Sequence, residues 1–232
     1  MTRNTLKWIA LVTMTVDHIG LFLIPNDTTL YTLMRIIGRI AFPLFAFMIA
    51  EGFLHTSNLK KYMMRLFILG VMTEVIFIGL YIISGFNLTH LWFLEGHGFR
   101  MNILWTLLLG LIGLYLTHKY ESYQMLILTV LFLASIVLPY GFYGFGLIMI
   151  FGMIQTPKQK WGYVAGLTLI YCFYPALSLG WSGVEWIQLF ALVSIPLLMM
   201  YSGQKGKGSY RFLYLYYPIH ILFILWIQYL VS

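Results

Sequence analysis

Charged residues are scarce in this 232-residue chain. Asp, Glu, Lys and Arg make up only 9% of it, whereas 61% of the residues are hydrophobic. Soluble globular domains carry about 25% charged residues, so the composition excludes an ordinary water-soluble fold. The mean hydropathy is +0.86, and aromatic residues reach 18%, as expected where Trp and Tyr lie at the two surfaces of a bilayer. The sequence therefore predicts an integral membrane protein, with the lipid bilayer as one of its partners.

Cysteine pairs and nucleotide-binding motifs are also missing. Cys172 is the single cysteine, which excludes an intramolecular disulfide and a cysteine metal cage. There is no GxxxxGK[ST] loop. His90 and His97 match no standard ligand spacing, so we expect no metal. The first hydrophobic run lacks a small-residue cleavage site and contains Asp17 and His18, so we expect a retained span rather than a signal peptide.

Apolar runs long enough to cross a bilayer, which takes ~20 residues, recur along the whole chain. Residues 123–154 form one apolar tract, but Pro139 and the glycines of LPYGFYGFG predict a reversal inside it. We therefore predict an all-α, polytopic membrane helix bundle of about nine spans, with residues 1–232 forming a single domain. The alternative, eight spans, would treat the tract as one broken helix. The other predicted spans are 6–24, 30–54, 62–84, 101–117, 161–178, 184–201 and 210–230.

Basic residues divide unequally between the two sides of this predicted bundle. With a cytoplasmic N-terminus, eleven Lys and Arg residues fall on the inner side and Arg100 alone falls in an outer loop. This is the positive-inside pattern of membrane proteins. Eight spans would move the later basic loops outside, so nine spans with the N-terminus inside are favoured. Topology and an anionic ligand then explain the net charge of +7, and we expect no nucleic acid partner.

Asp17 lies inside the first predicted span, where ionisable groups are costly and usually face a bundle interior or a wet cavity. Arg35 and Arg39 lie one helical turn apart in the second span, and two like charges at that spacing repel unless they share an anion. Asp17 is the nearest candidate by depth. The alternative to a functional role is an internal ion pair that locks the first two helices together.

His18 follows Asp17 directly, and the two side chains point about 100° apart on a helix. A group that orients His18 is therefore expected from another helix. Lys7 lies eleven residues before His18, which places both on nearly the same helix face, about 16 Å apart along the axis. One face thus offers a cation at one end and an imidazole deeper in the membrane.

Two further ionisable residues lie within predicted spans. Glu74, in the middle of the third span, requires a partner or a wet cavity. His220 lies in the last span within YYPIHIL, beside Pro218; a lone histidine there is more often a hydrogen-bonded core residue than a catalyst. We group Arg35, Arg39, Glu74 and His220 as structural or acceptor-side ion pairs.

The densest basic cluster follows the second span and comprises Lys60, Lys61 and Arg65. One interpretation is ordinary attraction to anionic lipid headgroups. The other is a cytoplasmic site for a phosphorylated ligand, supplemented by Lys205 and Lys207 in the QKGKGSYR loop. The sequence leaves both open.

Several motifs occur in an order that resembles the TraX-type family of integral membrane proteins, which is named for N-terminal acetylation of pilin. They are DHIG, IGRIAFPLFAFMIAEGF with the following KKYMMRL, MNILWTLLLGL, YGFYG and YYPIH. The family is similar, more distantly, to acyltransferase-3 proteins, whose first span carries a basic residue and an essential histidine with ten residues between them. Lys7 and His18 match that spacing, with Lys in place of the usual Arg.

The resemblance implies an O- or N-acetyltransferase of the bacterial plasma membrane that uses cytoplasmic acetyl-CoA. Lys7 and the cluster Lys60, Lys61 and Arg65 would then bind the donor. His18 would serve as general base or acyl carrier, tuned by Asp17. The expected acceptor is a peptide N-terminus, a sugar or a lipid on the outer side.

One position departs from the family pattern. An acidic residue is expected before the Tyr-Gly of YGFYG, and this chain has Pro139 there. The acceptor can therefore differ from pilin. The rival hypotheses are a small proton-coupled transporter or flippase, in which the buried Asp, His, Arg and Glu residues relay protons, and a scaffold protein.

Overall fold

A computed structural model of the chain describes residues 1–84, 101–204, 206 and 211–231. Every regular element in these ranges is a helix, which confirms the all-α prediction for this part of the chain. The predicted outer-loop residues His90 and His97, together with Arg100, lie outside the described residues, as do Lys205 and Lys207.

Eleven α-helices and three short 3₁₀ helices make up the described chain. The α-helices are α1 (Arg3–Leu23), α2 (Thr29–Gly38), α3 (Ala41–His55), α4 (Leu59–Ser84), α5 (Ile103–Lys119), α6 (Gln124–Ser135), α7 (Gly141–Met153), α8 (Pro157–Phe173), α9 (Ala176–Leu179), α10 (Ser194–Met199) and α11 (Arg211–Val231). The 3₁₀ helices are Glu121–Tyr123, Gly180–Gly183 and Trp186–Val193. The chain divides into two compact units, Met1–Met48 with Thr156–Ser232, and Ile49–Gln155.

The first unit is organised around α1. Hydroxyl caps begin its first two helices: Thr2 Oγ1 accepts from the backbone N–H of Thr5 at 3.3 Å, and Thr28 Oγ1 accepts from that of Tyr31 at 3.1 Å. Helix α1 packs against α2 and α11, and α2 packs against the 3₁₀ helix Trp186–Val193. Buried side chains of α1 and α3 form a small core against which tyrosines of α11 pack. These residues are Leu11, Met14, Ala41, Tyr216 and Tyr217.

The second unit is organised around α5, which packs against α4, α6 and α7. The apolar tract 123–154 breaks where the sequence predicts it, because α6 ends at Ser135 and α7 begins at Gly141. Tyr140 and Gly141 both have positive φ, at 59° and 46°. The hydroxyl of Thr106 on α5 donates to the carbonyl of Pro139 at 2.7 Å, so α5 holds this turn in place.

Among the described residues, three helical segments are long and apolar enough to cross a membrane: Arg3–Leu23, Thr29–His55 and Pro157–Gly183. A fourth results if Ile103–Lys119 and Glu121–Ser135, which are bent by 118°, are counted as one span. These segments identify a helical membrane protein. The number nine and the cytoplasmic N-terminus stay predictions.

Candidate functional site

Asp17 is bound by two guanidinium groups from the end of α2. Arg35 Nη1 donates to Asp17 Oδ2 at 2.7 Å, and Arg39 Nη2 donates to Asp17 Oδ1 at 3.2 Å. Each carboxylate oxygen therefore has its own guanidinium, and the like charges one turn apart share the anion between them. The side chains of Asp17 and Arg39 are each 14% exposed and that of Arg35 is 19% exposed, so the cluster is largely removed from solvent.

Gly38 leaves room on α2 for the Asp17 carboxylate. A Cβ atom added at Gly38 would lie 2.0 Å from Asp17 Oδ1, far inside van der Waals contact. Gly20 on α1 is similarly close to α2, because its Cβ would lie 2.8 Å from Cβ of Met34. The two helices therefore approach at positions without side chains, and this approach brings the carboxylate to the arginines.

Gln188 is a member of the cluster that sequence reasoning missed. Its Oε1 accepts from Arg39 Nη1 at 3.3 Å, and its side chain is buried within the 3₁₀ helix Trp186–Val193. Its Nε2 is buried without a hydrogen-bond partner among the described residues. A single amide side chain in the apolar run WIQLFALV was the available signal, because buried polar groups require partners.

His18 hydrogen-bonds to His220 of α11. His18 Nδ1 lies 2.7 Å from His220 Nε2, and the two ring planes are within 17° of parallel. The ring centroids are 5.0 Å apart. Two rings whose nitrogens lie 2.7 Å apart reach about this centroid distance only when they are nearly coplanar, so the rings meet edge to edge. The group that orients His18 comes from another helix, as expected, but it is an imidazole rather than a carboxylate.

A second polar contact joins α11 to α1, one helical turn before His220. The Thr15 hydroxyl donates to the carbonyl of Leu11 at 2.8 Å, and Thr15 Oγ1 lies 2.7 Å from the hydroxyl of Tyr216. Because the Thr15 proton is already donated, the Tyr216 hydroxyl is the donor to Thr15. The carbonyl of Tyr216 in turn lies 2.8 Å from His220 Nδ1. Two polar contacts one turn apart thus fix the register of α11 on α1.

One ring nitrogen of His18 has no hydrogen-bond partner in the part of the chain that the structure describes. Its Nδ1 is occupied by His220, and no described residue hydrogen-bonds Nε2. The ring of Phe22, one turn along α1, lies with its centroid 6.2 Å from that of His18. Asp17 is engaged by the arginines. The arrangement can therefore present an imidazole nitrogen to a reactant, with the charged cluster on the adjacent residue.

The predicted donor-binding residues lie in different parts of the chain. Lys7 is half-buried on α1, the same continuous helix as His18. Lys60, Lys61 and Arg65 are exposed on the first turns of α4, in the second unit. Asn58 caps this helix by accepting from the N–H of Lys61 at 2.9 Å, and the Arg65 guanidinium lies 5.9 Å from the centroid of the Tyr62 ring. Their predicted role in donor binding stays a prediction.

Glu74 belongs to the second unit, and neutral groups bind it. Its Oε1 accepts from the N–H of Asn102 at 2.7 Å and from Trp105 Nε1 at 3.1 Å. Its Oε2 is buried without a partner among the described residues. Its observed partners are thus an amide and an indole rather than the cation that an ion pair would require.

Fold and site together define a helical membrane protein in which a carboxylate shared by two arginines lies next to a hydrogen-bonded pair of histidines. The comparison with known families then identifies it more closely. The family model described as TraX protein matches residues 2–228, and the chain belongs to the TraX family.

Two relatives extend this comparison. The chain is 30% identical to a probable fimbrial assembly protein, FimC, of Dichelobacter nodosus serogroup H1, in an alignment that covers 95% of this chain and 96% of the relative. It is 41% identical to an uncharacterised protein of Rickettsia prowazekii (strain Madrid E) over 73 residues, which are 32% of this chain and 26% of that protein. No solved structure matches.

Proposed function

We propose that the protein is a membrane-embedded acetyltransferase that moves an acetyl group from cytoplasmic acetyl-CoA to an amine or hydroxyl on the outer side of a bacterial plasma membrane. Family membership supports it, and so does the near full-length relative named as a fimbrial assembly protein. The observation that carries the proposal is His18. It is an imidazole inside a predicted membrane span, oriented through one nitrogen and without a hydrogen-bond partner on the other among the described residues.

His18 would act as the general base. An imidazole suits this role because its ordinary pKa lies near neutrality. As the acceptor nitrogen or oxygen attacks the thioester carbon, its proton moves to His18 Nε2. The carbon–sulfur bond then breaks, and the departing CoA thiolate takes the proton from His18. In the alternative route, Nε2 itself attacks the thioester and expels the CoA thiolate. The acetyl-imidazole then passes the group to the acceptor, whose proton goes to the thiolate as Nε2 is released.

Asp17 would support the site by positioning α1 rather than by contact with His18. Both of its oxygens accept hydrogen bonds from arginines, so Asp17 fixes the C-terminal half of α1 against α2. We assign Arg35 and Arg39 to holding Asp17. The cluster then keeps the backbone of the adjacent His18 in place while the imidazole turns toward α11.

The donor would bind at the start of α4. CoA carries phosphates, and Lys60, Lys61 and Arg65 are exposed cations next to a helix N-terminus, where backbone N–H groups favour anions. Lys7, on α1, is the further residue that we predict to bind the donor. This assignment predicts a cytoplasmic location for these residues, in agreement with the positive-inside pattern. The name of the full-length relative favours a peptide N-terminus as acceptor, with a sugar or a lipid as the other acceptor classes.

The test uses purified full-length protein in nanodiscs with labelled acetyl-CoA. Free CoA and label on protein, peptide, oligosaccharide or lipid are measured, with a short peptide bearing a free N-terminus, an oligosaccharide and phosphatidylethanolamine supplied separately as acceptor probes. We expect turnover with at least one probe in the wild type and at least a 10²-fold loss in His18→Ala. His55→Ala is the matched control, because His55 is an exposed histidine at the end of α3 and its loss should leave turnover unchanged.

A proton-coupled transporter is the second candidate, since the contact between His18 and His220 is of the kind that passes protons. It predicts the opposite result in the same preparation. CoA would not be released with any acceptor probe, whereas a pH gradient across proteoliposomes would drive uptake of a solute. That pair of results would overturn the acetyltransferase proposal.

A further inference from the structure

The hydrogen bonds around His220 have a fixed direction. A carbonyl oxygen can only accept, so the contact between His220 Nδ1 and the carbonyl of Tyr216 requires a proton on Nδ1. In a neutral imidazole the other nitrogen then carries a lone pair. His220 Nε2 is therefore the acceptor in its contact with His18, and His18 Nδ1 must carry the proton that it donates.

The tautomer of His18 follows from that of His220. With its proton on Nδ1, neutral His18 has an unprotonated Nε2, the nitrogen for which no described residue is a hydrogen-bond partner. If His220 were doubly protonated, its Nε2 would donate to His18 Nδ1, and neutral His18 would carry its proton on Nε2 instead. Asp17, the residue before His18, already binds two guanidinium groups, and a further cation close to this net-positive cluster is unfavourable in a low-dielectric interior. The neutral arrangement is therefore favoured.

We propose that His220 is a positioning residue that holds His18 in its Nδ1–H tautomer and so leaves Nε2 as the reactive nitrogen. The catalytic consequence rests on the proposed function, whereas the tautomer itself does not. The sequence predicts His220 among the structural or acceptor-side ion pairs, and in the structure it lies at hydrogen-bond distance from His18, the predicted catalytic residue.

Aromatic contacts support a fixed ring orientation at His220. The ring of Tyr216 lies 5.1 Å away, centroid to centroid, and within 10° of parallel. The ring of Tyr217 lies 5.7 Å away at 56°. His220 is 6% exposed, so its ring has little room to turn. The hydroxyl of Tyr216 is bound to Thr15, and this bond keeps α11 at the height on α1 that the histidine contact requires.

The pair can also share the charge that catalysis creates. When His18 Nε2 takes a proton from the acceptor, His18 becomes an imidazolium, and its Nδ1–H continues to donate to His220. If that Nδ1 proton moves across to His220 Nε2, His18 is neutral again and the charge lies on His220, whose Nδ1–H still donates to Tyr216. The second imidazole thus orients the base as a carboxylate does in many hydrolases and, unlike that carboxylate, can also accept the proton.

The test is nitrogen-15 NMR of the full chain in nanodiscs, with labelled histidine and with His18 assigned by its loss in His18→Gln. In the wild type at a pH where His18 is neutral, we expect a protonated Nδ1 and an unprotonated Nε2. In His220→Phe, which keeps a ring but removes the acceptor, His18 should shift toward the Nε2–H tautomer. His220→Gln, whose side-chain oxygen can accept, should restore the wild-type pattern at least in part.

Activity supplies the second readout. We expect kcat for CoA release to fall about 10²-fold in His220→Phe, with little change in KM for acetyl-CoA, and to recover in His220→Gln. His55→Phe, at an exposed site outside this machinery, should leave both constants unchanged.

A wild-type His18 with its proton on Nε2, or a His18 spectrum unchanged by His220→Phe, would overturn the inference. The wild-type spectrum decides even if His220→Phe fails to fold. The expected tautomer without any CoA release would instead overturn the acetyltransferase and leave the positioning of His18 standing.

Discussion

The Asp17 carboxylate is the residue on which the charged cluster depends. Two guanidinium groups bind it, and a glycine on α2 leaves room for it. Removal of one partner from a largely buried pair is strongly destabilising because it leaves uncompensated charge. In this cluster the loss of Asp17 would leave two arginines without their shared anion, which is the most costly single change that the cluster offers.

We therefore expect Asp17→Asn to lower the free energy of unfolding by about 3 kcal/mol or more. Because Asp17 and Arg35 share one contact, the double variant Asp17→Asn/Arg35→Gln should lose less than the sum of the two single losses, with a difference of about 0.5–3 kcal/mol. The measurement is reversible denaturation in detergent micelles.

The control for this cycle is Asp27→Asn. Asp27 is exposed between α1 and α2, and a surface substitution of this kind changes stability by about 0.5 kcal/mol or less. Strict additivity of the Asp17 and Arg35 losses would show that their contact in the structure contributes no coupling.

Sequence reasoning reached only part of the site at this scale. The two arginines and Asp17 could be grouped because spacing on one helix and depth in the membrane are legible from sequence. Gln188 could not be added, because it reaches Arg39 across 149 positions. The side chain that orients His18 could be expected from another helix, but its identity depended on the rotation of α11.

Among the helices of the second unit, α5 and α7 approach each other at glycines. A Cβ at Gly110 would lie 2.4 Å from Cδ1 of Ile148, and one at Gly152 would lie 2.4 Å from Cδ2 of Leu114. Small residues allow close approach of helices in a membrane, where packing rather than the hydrophobic effect drives association. The contact is reciprocal, since each helix supplies a glycine where the other supplies a branched side chain.

Gly110→Ala is therefore expected to destabilise the protein by about 1–3 kcal/mol through overpacking. The matched control is Gly166→Ala on α8, where an added Cβ would have nothing within 4 Å. That substitution should be neutral or stabilise by about 0.5–1 kcal/mol, because alanine is the better helix former. Thermal unfolding in the same detergent compares the two variants, and equal effects would show that α5 and α7 do not pack as described.

At the scale of the whole molecule, apolar side chains cover much of the surface. Leu177 is 86% exposed, Trp181 78% and Met125 75%, which would be unfavourable in water but suits a surface that faces lipid. Family membership and the long apolar helices agree with this environment. The side of the membrane on which each end lies is a separate question, for which basic residues give the prediction.

We expect the two ends of the chain to lie on opposite sides of the membrane. Nine spans place the N-terminus inside and the C-terminus outside, whereas eight would place both inside. Reporter pairs fused to each end, one active only in the cytoplasm and one only outside it, distinguish the two. Single cysteines added near residues 100 and 158 in a Cys172→Ala background give a second test with a membrane-impermeant maleimide. In intact cells, nine spans predict labelling only near residue 100, whereas eight spans predict labelling near both.

Composition and local sequence patterns are enough to predict the membrane environment and the division into helices. Scarce charge and recurring apolar runs require a membrane, and Pro139 with its glycines marks the break before α7. These properties depend on composition and on neighbouring residues. They also sufficed to indicate the family that the comparison then identified.

Which polar side chains contact one another depends on how the helices pack. His18 and His220 are 202 positions apart, and helices that are apolar on all sides give little indication of which face turns inward. The contact exists because the approach of α11 to α1, fixed by Tyr216 and Thr15, brings two rings edge to edge. The order of residues along the chain does not indicate that approach, because it depends on how the side chains of the two helices pack.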